Sequence, residues 1–122
     1  MDDERTPPDF DLDAALVYSG GEMAVFRTVA EMFLSSLEER LGAIASAVAA
    51  HDDGALERSA HSLKGAAATL AGACLADRAG ALERIGRDGD WEVAEPALES
   101  LHAAAARLSD VLRSHLEGGP AG

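Results

Sequence analysis

The chain is predicted to be all-α: an antiparallel up-down-up-down four-helix bundle with a short additional N-terminal helix. Three observations predict this. Apolar residues recur every three or four positions through four long segments, the connections between those segments are short, and strand-forming runs are few. Hydrophobic residues make up 48% of the chain and aromatics only 4%, so the core should be alanine and leucine packed between closely approaching helices. At 122 residues the chain has the length of one domain with a single core.

Residues 1–8 carry charge and Pro7-Pro8 and read as a flexible tail ahead of a domain over 9–117. Asp9 or Asp11 caps a short helix through about Tyr18, which Gly20-Gly21 ends. A long helix then runs from Glu22 to about Ala50, because Val25, Phe26, Val29, Phe33, Leu37, Leu41, Ile44 and Val48 keep helical spacing. Its polar face holds Glu31, Glu38, Glu39 and Arg40. Asp52 and Asp53 are good caps for the next helix, which runs to about Leu70 and is broken by Gly72. Another helix spans roughly Ala73 to Arg87, with Leu75, Leu82 and Ile85 inward, and Asp88-Gly89-Asp90 makes a turn. The last helix extends from about Trp91 to Leu116 on Leu98, Leu101, Ala105, Leu108 and Leu112, with Pro96 near its first turn. Residues 118–122 have no packing side chains and read as a second flexible tail.

Charge excludes some partners. A formal net charge of −12 opposes binding to nucleic acid or to an anionic membrane surface. The uncharged central stretch from Gly65 to Ala76 is 12 residues, too short to span a bilayer, and the acidic start Met1-Asp2-Asp3-Glu4 is unlike a signal peptide. A cytoplasmic location is expected. The single cysteine, Cys74, reads as a small core residue, and no CxxC or HExxH spacing suggests a metal site. There is no phosphate-binding loop of the Gly-x-x-x-x-Gly-Lys-Ser/Thr type, so the chain is not expected to take phosphate from ATP itself.

The informative segment is Ala60-His61-Ser62-Leu63-Lys64-Gly65-Ala66-Ala67-Ala68. On a helix advancing about 100° per residue, Lys64, Gly65, Ala68 and Gly72 fall within about 60° of His61. Leu56, Leu63, Ala67 and Leu70 cluster on roughly the opposite side, where burial of each leucine is worth roughly 1.5–3 kcal/mol. His61 must then point outward, on a stripe cleared of large side chains. Gly65 costs roughly 1 kcal/mol relative to alanine in a helix interior, and its use is to let another surface come close to the imidazole. Neutral imidazole is a nucleophile at physiological pH, and Lys64, one turn away, attracts an anionic phosphoryl group. Glu57, one turn earlier, is the nearest acid on the stripe.

The run Ala60-His61-Ser62-Leu63-Lys64-Gly65, followed by small residues, Leu70-Ala71-Gly72, Leu75 and Leu82-Glu83, resembles the histidine-containing phosphotransfer (HPt) domains. The resemblance extends over roughly residues 10 to 117. It implies a phosphoryl carrier, with no ATP-dependent kinase activity of its own, in a two-component phosphorelay. His61 would be the phosphoacceptor, Lys64 the phosphate-stabilising cation, and Ala60, Gly65 and Ala68 the partner-docking surface. The implied partners are receiver domains of response regulators or hybrid histidine kinases. No cofactor belongs to the chain, and magnesium is expected on the receiver. Two positions depart from or vary on the family pattern. Where the family commonly has glycine ten residues after the histidine, this chain has Ala71 with Gly72 next, which predicts a shifted helix end. Where some members place a glutamine and a basic residue near the phosphohistidine, the matching residues are Glu83 and Arg87, the latter a possible second phosphate contact. The alternative from another class is a non-catalytic helical docking module for a signalling partner.

Overall fold

The computed structural model describes residues 6–118. Within them the chain forms α1 (Leu12–Tyr18), α2 (Met23–Ala50), α3 (Asp53–Thr69), α4 (Ala73–Asp88) and α5 (Ala94–Gly118), with a 3-10 turn at Trp91–Val93 before α5. Of the two expected tails, residues 1–5 and 119–122 lie outside the described residues. Helices α2 to α5 form the expected four-helix bundle: α3 packs on α2 and α4, and α5 closes the ring against α4 and α2. No helix among the described residues is long and apolar enough to cross a membrane.

Local chemistry accounts for the boundaries. Asp11, rather than Asp9, caps α1 by accepting the Ala14 N–H at 3.1 Å, and Asp52 caps α3 through the Ala55 N–H at 3.1 Å. Asp9 instead accepts from Arg107 Nε at 3.0 and 3.1 Å, while the Pro8 carbonyl accepts the Cys74 N–H at 2.9 Å, so the lead-in to α1 is tied to α4 and α5. The last helix departs from expectation in its first turn. Pro96 has no N–H to offer the Glu92 carbonyl, so the α-helical ladder cannot run back through residue 92 and the leading turn tightens to 3-10. Trp91 anchors this corner by donating Nε1–H to Asp53 at 3.1 Å and stacking on the His51 ring, with centroids 4.5 Å apart. His115 is half-buried against Phe10 and Phe26.

The end of α3 corrects the expectation that Gly72 breaks the helix. Ala71 takes the left-handed conformation (φ 58°), with Gly72 N–H bonded to the Ala67 carbonyl at 2.9 Å and Ala71 N–H to Ala68 at 3.0 Å. That is the Schellman closure with alanine where glycine is usual. Gly72 serves packing instead: a Cβ there would lie 2.6 Å from Leu108 Cδ2.

The core is the predicted one. Leu56, Leu63, Leu70, Leu75, Leu82, Leu101, Leu108 and Leu112 are fully buried with Phe26, Ile44 and Cys74. Val25, expected to pack inward from α2, is instead exposed. The closest helix pair is α3 and α4, and Gly86 explains it. A Cβ at Gly86 would lie 2.7 Å from Glu57 N and 2.8 Å from the Asp53 carbonyl, both backbone atoms that cannot yield without moving the helix. Gly86→Ala should therefore destabilise the fold by about 1–3 kcal/mol despite alanine's better helix propensity. Urea unfolding should show a lower midpoint; an unchanged or raised midpoint would remove the close-approach explanation.

Candidate functional site

The site lies where α3 meets α4 near mid-bundle. Burial of Leu56, Leu63, Ala67 and Leu70 fixes the rotation of α3, and this turns His61 outward with its side chain 68% exposed. Gly65 and Ala68 are exposed beside it, and a Cβ built on Gly65 meets nothing within 4 Å. The glycine therefore answers no packing need inside the molecule. It leaves the approach to the ring open.

Glu83 reaches up from α4 into the gap. Its side chain is only 11% exposed, and each carboxylate oxygen has a partner: Oε1 accepts from Lys64 Nζ at 2.6 Å and Oε2 meets His61 Nδ1 at 3.0 Å. The Lys64 ammonium holds the Glu83 carboxyl below its ordinary value of 4.5; burial opposes this and the contact with His61 assists it. Glu83 is thus ionised at neutral pH and can only accept hydrogen bonds, so Nδ1 carries the proton. In the neutral ring, Nε2 then holds the lone pair. Lys64, 41% exposed, has further N–H donors beyond the one given to Glu83, and these can serve an incoming anion.

The other sequence-selected residues divide. Ala60 is a correction: it is 0% exposed and belongs to the core, so it forms no part of a docking surface. It sits on the flank of α3 that α4 covers, continuing the Leu56, Leu63 and Ala67 stripe. Arg87 is exposed, and its ion-pair partner among the described residues is Asp88 at 3.9 Å; the structure does not bring it into the His61, Lys64 and Glu83 cluster. A neighbouring cation escaped the sequence reading. Arg84 approaches the space over Gly80 from one side and the Lys64 stem from the other, 3.7 and 3.5 Å from where a Cβ would stand. Its place next to Glu83 and one turn after Gly80 was the available signal. Among the described residues no group of three or more His, Cys, Asp or Glu could hold a metal ion.

Beside the ring, Lys64 and Ala68 also line an open groove of about 530 Å³ shared with Pro8, Tyr18, Ala71 and Ala76. Its walls are mostly apolar, with Asp11 and Asp77 among them.

The family model described as Hpt domain matches residues 28–111, which includes His61, Lys64 and Glu83. No curated protein matches the chain. Among solved structures, that of histidine-containing phosphotransfer protein B (HptB) from Pseudomonas aeruginosa PAO1 superposes with a TM-score of 0.81 at 24% identity, covering 88% of this chain and 93% of that one. At that identity the likeness is one of fold.

The Glu83 pairing has a consequence for acid stability. A carboxyl whose folded value is depressed contributes stability above its unfolded value, and that contribution is lost as pH falls through the folded one. Stability attributable to Glu83 should therefore be full near neutrality and decline from about 4.5 downward. Denaturant unfolding of wild type and Glu83→Gln across this range should show the difference between them shrinking on acidification; a constant difference would mean Glu83 is not ionised and paired.

Proposed function

Because the chain belongs to the Hpt domain family, we propose that it is a cytoplasmic phosphoryl carrier that relays a phosphoryl group between receiver-domain aspartates through phosphohistidine at His61. The observation that carries this reading is an exposed imidazole whose Nδ1 is tied to an ionised Glu83, leaving Nε2 as the nucleophile. On loading, the Nε2 lone pair attacks the phosphorus of an aspartyl phosphate, the bond from phosphorus to the aspartate oxygen breaks, and the aspartate leaves as carboxylate. On unloading, a receiver carboxylate attacks and the bond to Nε2 breaks. The proton kept on Nδ1 by Glu83 lets the ring depart as neutral imidazole rather than as an anion.

Such displacement depends on positioning and charge stabilisation more than on covalent help from the protein. Lys64 supplies a positive charge one turn from the nucleophile, and Gly65 leaves room for the partner. Magnesium, where the reaction uses it, belongs to the receiver. The partners are receiver domains of response regulators or hybrid histidine kinases, and the groove beside Lys64 and Ala68 offers them an apolar contact.

Incubation with receiver domains charged by acetyl phosphate tests the reading. Label should appear on the chain and vanish in His61→Gln; binding without label, unchanged in that variant, would leave only a docking module. Lys64→Ala should keep the fold and slow transfer by at least about tenfold, and equal rates would remove the lysine from the mechanism. Gly65→Leu should keep full helicity while blocking the receiver, and undiminished association would overturn the steric role of Gly65.

A further inference from the structure

On the α2 side of His61, we propose that Arg40 and Arg58 form a carboxylate-binding rim that seats an acidic surface of the partner protein during phosphoryl exchange. This rests on the phosphotransfer reading above. Arg40 crosses from α2 to α3 on two neutral anchors: Nε donates to Ser36 Oγ at 3.1 Å and Nη1 donates to Ser62 Oγ at 2.7 Å. Ser62 follows His61 directly, and Arg58 lies one turn before Ser62 on the same face of α3. The two arginines, with Ser59, Ser62, Glu39 and Ala43, line an open groove of about 310 Å³.

Neither arginine of this rim is engaged in an ion pair among the described residues. In a chain of net charge −12, a surface base has abundant acids to pair with, and Arg78 and Arg107 do pair, with Asp77 and Asp9. Among the described residues the ion pairs use His61, Lys64, Arg78, Arg87 and Arg107; neither Arg40 nor Arg58 forms one, although Glu39 lines the same groove. Arg40 and Arg58 on one side of α3 and Lys64 with Arg84 on the other bracket the stripe that carries His61. On the α4 side Lys64 pairs with Glu83 and Arg87 with Asp88, while Arg84 forms no ion pair among the described residues; the α2 side differs in that Arg40 is already held on hydroxyls next to the nucleophile.

The geometry also suits a carboxylate. A guanidinium presents N–H donors in a fixed fork, and the two serine hydroxyls hold that of Arg40 in place before any partner arrives. The Ser62 oxygen accepts from Arg40, which leaves its own O–H free to donate to the same carboxylate. An acidic group seated there lies against the residue next to the nucleophile, so the rim sets the partner's distance and orientation to His61.

Transfer from a charged receiver domain, chosen as the best donor among those encoded with this chain, tests the proposal. In the double variant Arg40→Glu, Arg58→Glu, kcat/KM for loading should fall by about tenfold or more at low salt. The gap to wild type should close at high salt, where screening removes the contribution from both proteins. The neutral pair Arg40→Gln, Arg58→Gln should give an intermediate loss, with helicity by circular dichroism confirming that each variant is folded. Wild-type rates in the folded variants at low salt would overturn the rim, as would a loss equal at every salt concentration. A wild-type chain that accepts phosphoryl from no receiver would instead overturn the phosphotransfer reading.

Discussion

The buried carboxylate of Glu83 is the constraint on which the site depends. Withdrawing a carboxylate from water costs several kcal/mol unless its oxygens find partners, and here one oxygen takes Lys64 and the other His61. Both partners stand on α3 while the carboxylate stands on α4, so the helix pair and the site hold each other in register. Gly86 lets the two backbones come close enough for this, and Gly80 leaves a space that the lysine stem fills. The imidazole owes its tautomer to the same contact. Packing and chemistry are therefore one feature at this face of the bundle.

The two sides of His61 hold their bases differently. On the α4 side, Lys64 is held by Glu83 and keeps further N–H donors for an incoming anion. On the α2 side, Arg40 rests on hydroxyls and keeps its charge. The total of −12 says little about an encounter at this spot. At physiological ionic strength the screening length is about 8 Å, so charges elsewhere on the bundle are muted and the local bases govern the final approach. A strongly acidic chain can in this way meet an acidic partner at one basic face.

What could be read from the chain follows the range of the interactions. The leucine stripe at positions 56, 63 and 70 is a property of one helix, and it specified the outward direction of His61. Ala60 was misjudged because a single-helix projection places it about 100° from His61, where exposure depends on what lies alongside. There α4 covers it. Glu83 could be matched by its spacing, yet its double contact needs the relative height of two helices. Gly86, Arg84 and the bond from Arg40 to Ser62 share that difficulty, being set by the register between segments that no periodicity within a segment encodes. Ala71 shows a different limit. Propensity favours Gly72 for the left-handed residue, but Gly72 is claimed by Leu108, and the turn is shifted onto alanine at a cost of roughly 1–2 kcal/mol.

Magnitudes explain how a helix can carry so bare a face. Gly65 in the middle of α3 costs roughly 1 kcal/mol relative to alanine, and nothing on that side repays it, since its α-carbon faces open space. Leu56, Leu63 and Leu70 on the opposite side are fully buried, at roughly 1.5–3 kcal/mol each. The buried side outweighs the glycine several-fold, so α3 remains helical with its outer surface free of stabilising duty. That surface can then be selected for what must reach it: a nitrogen nucleophile needs a rigid support and an unobstructed approach, and the leucines supply the first so that the glycine can supply the second.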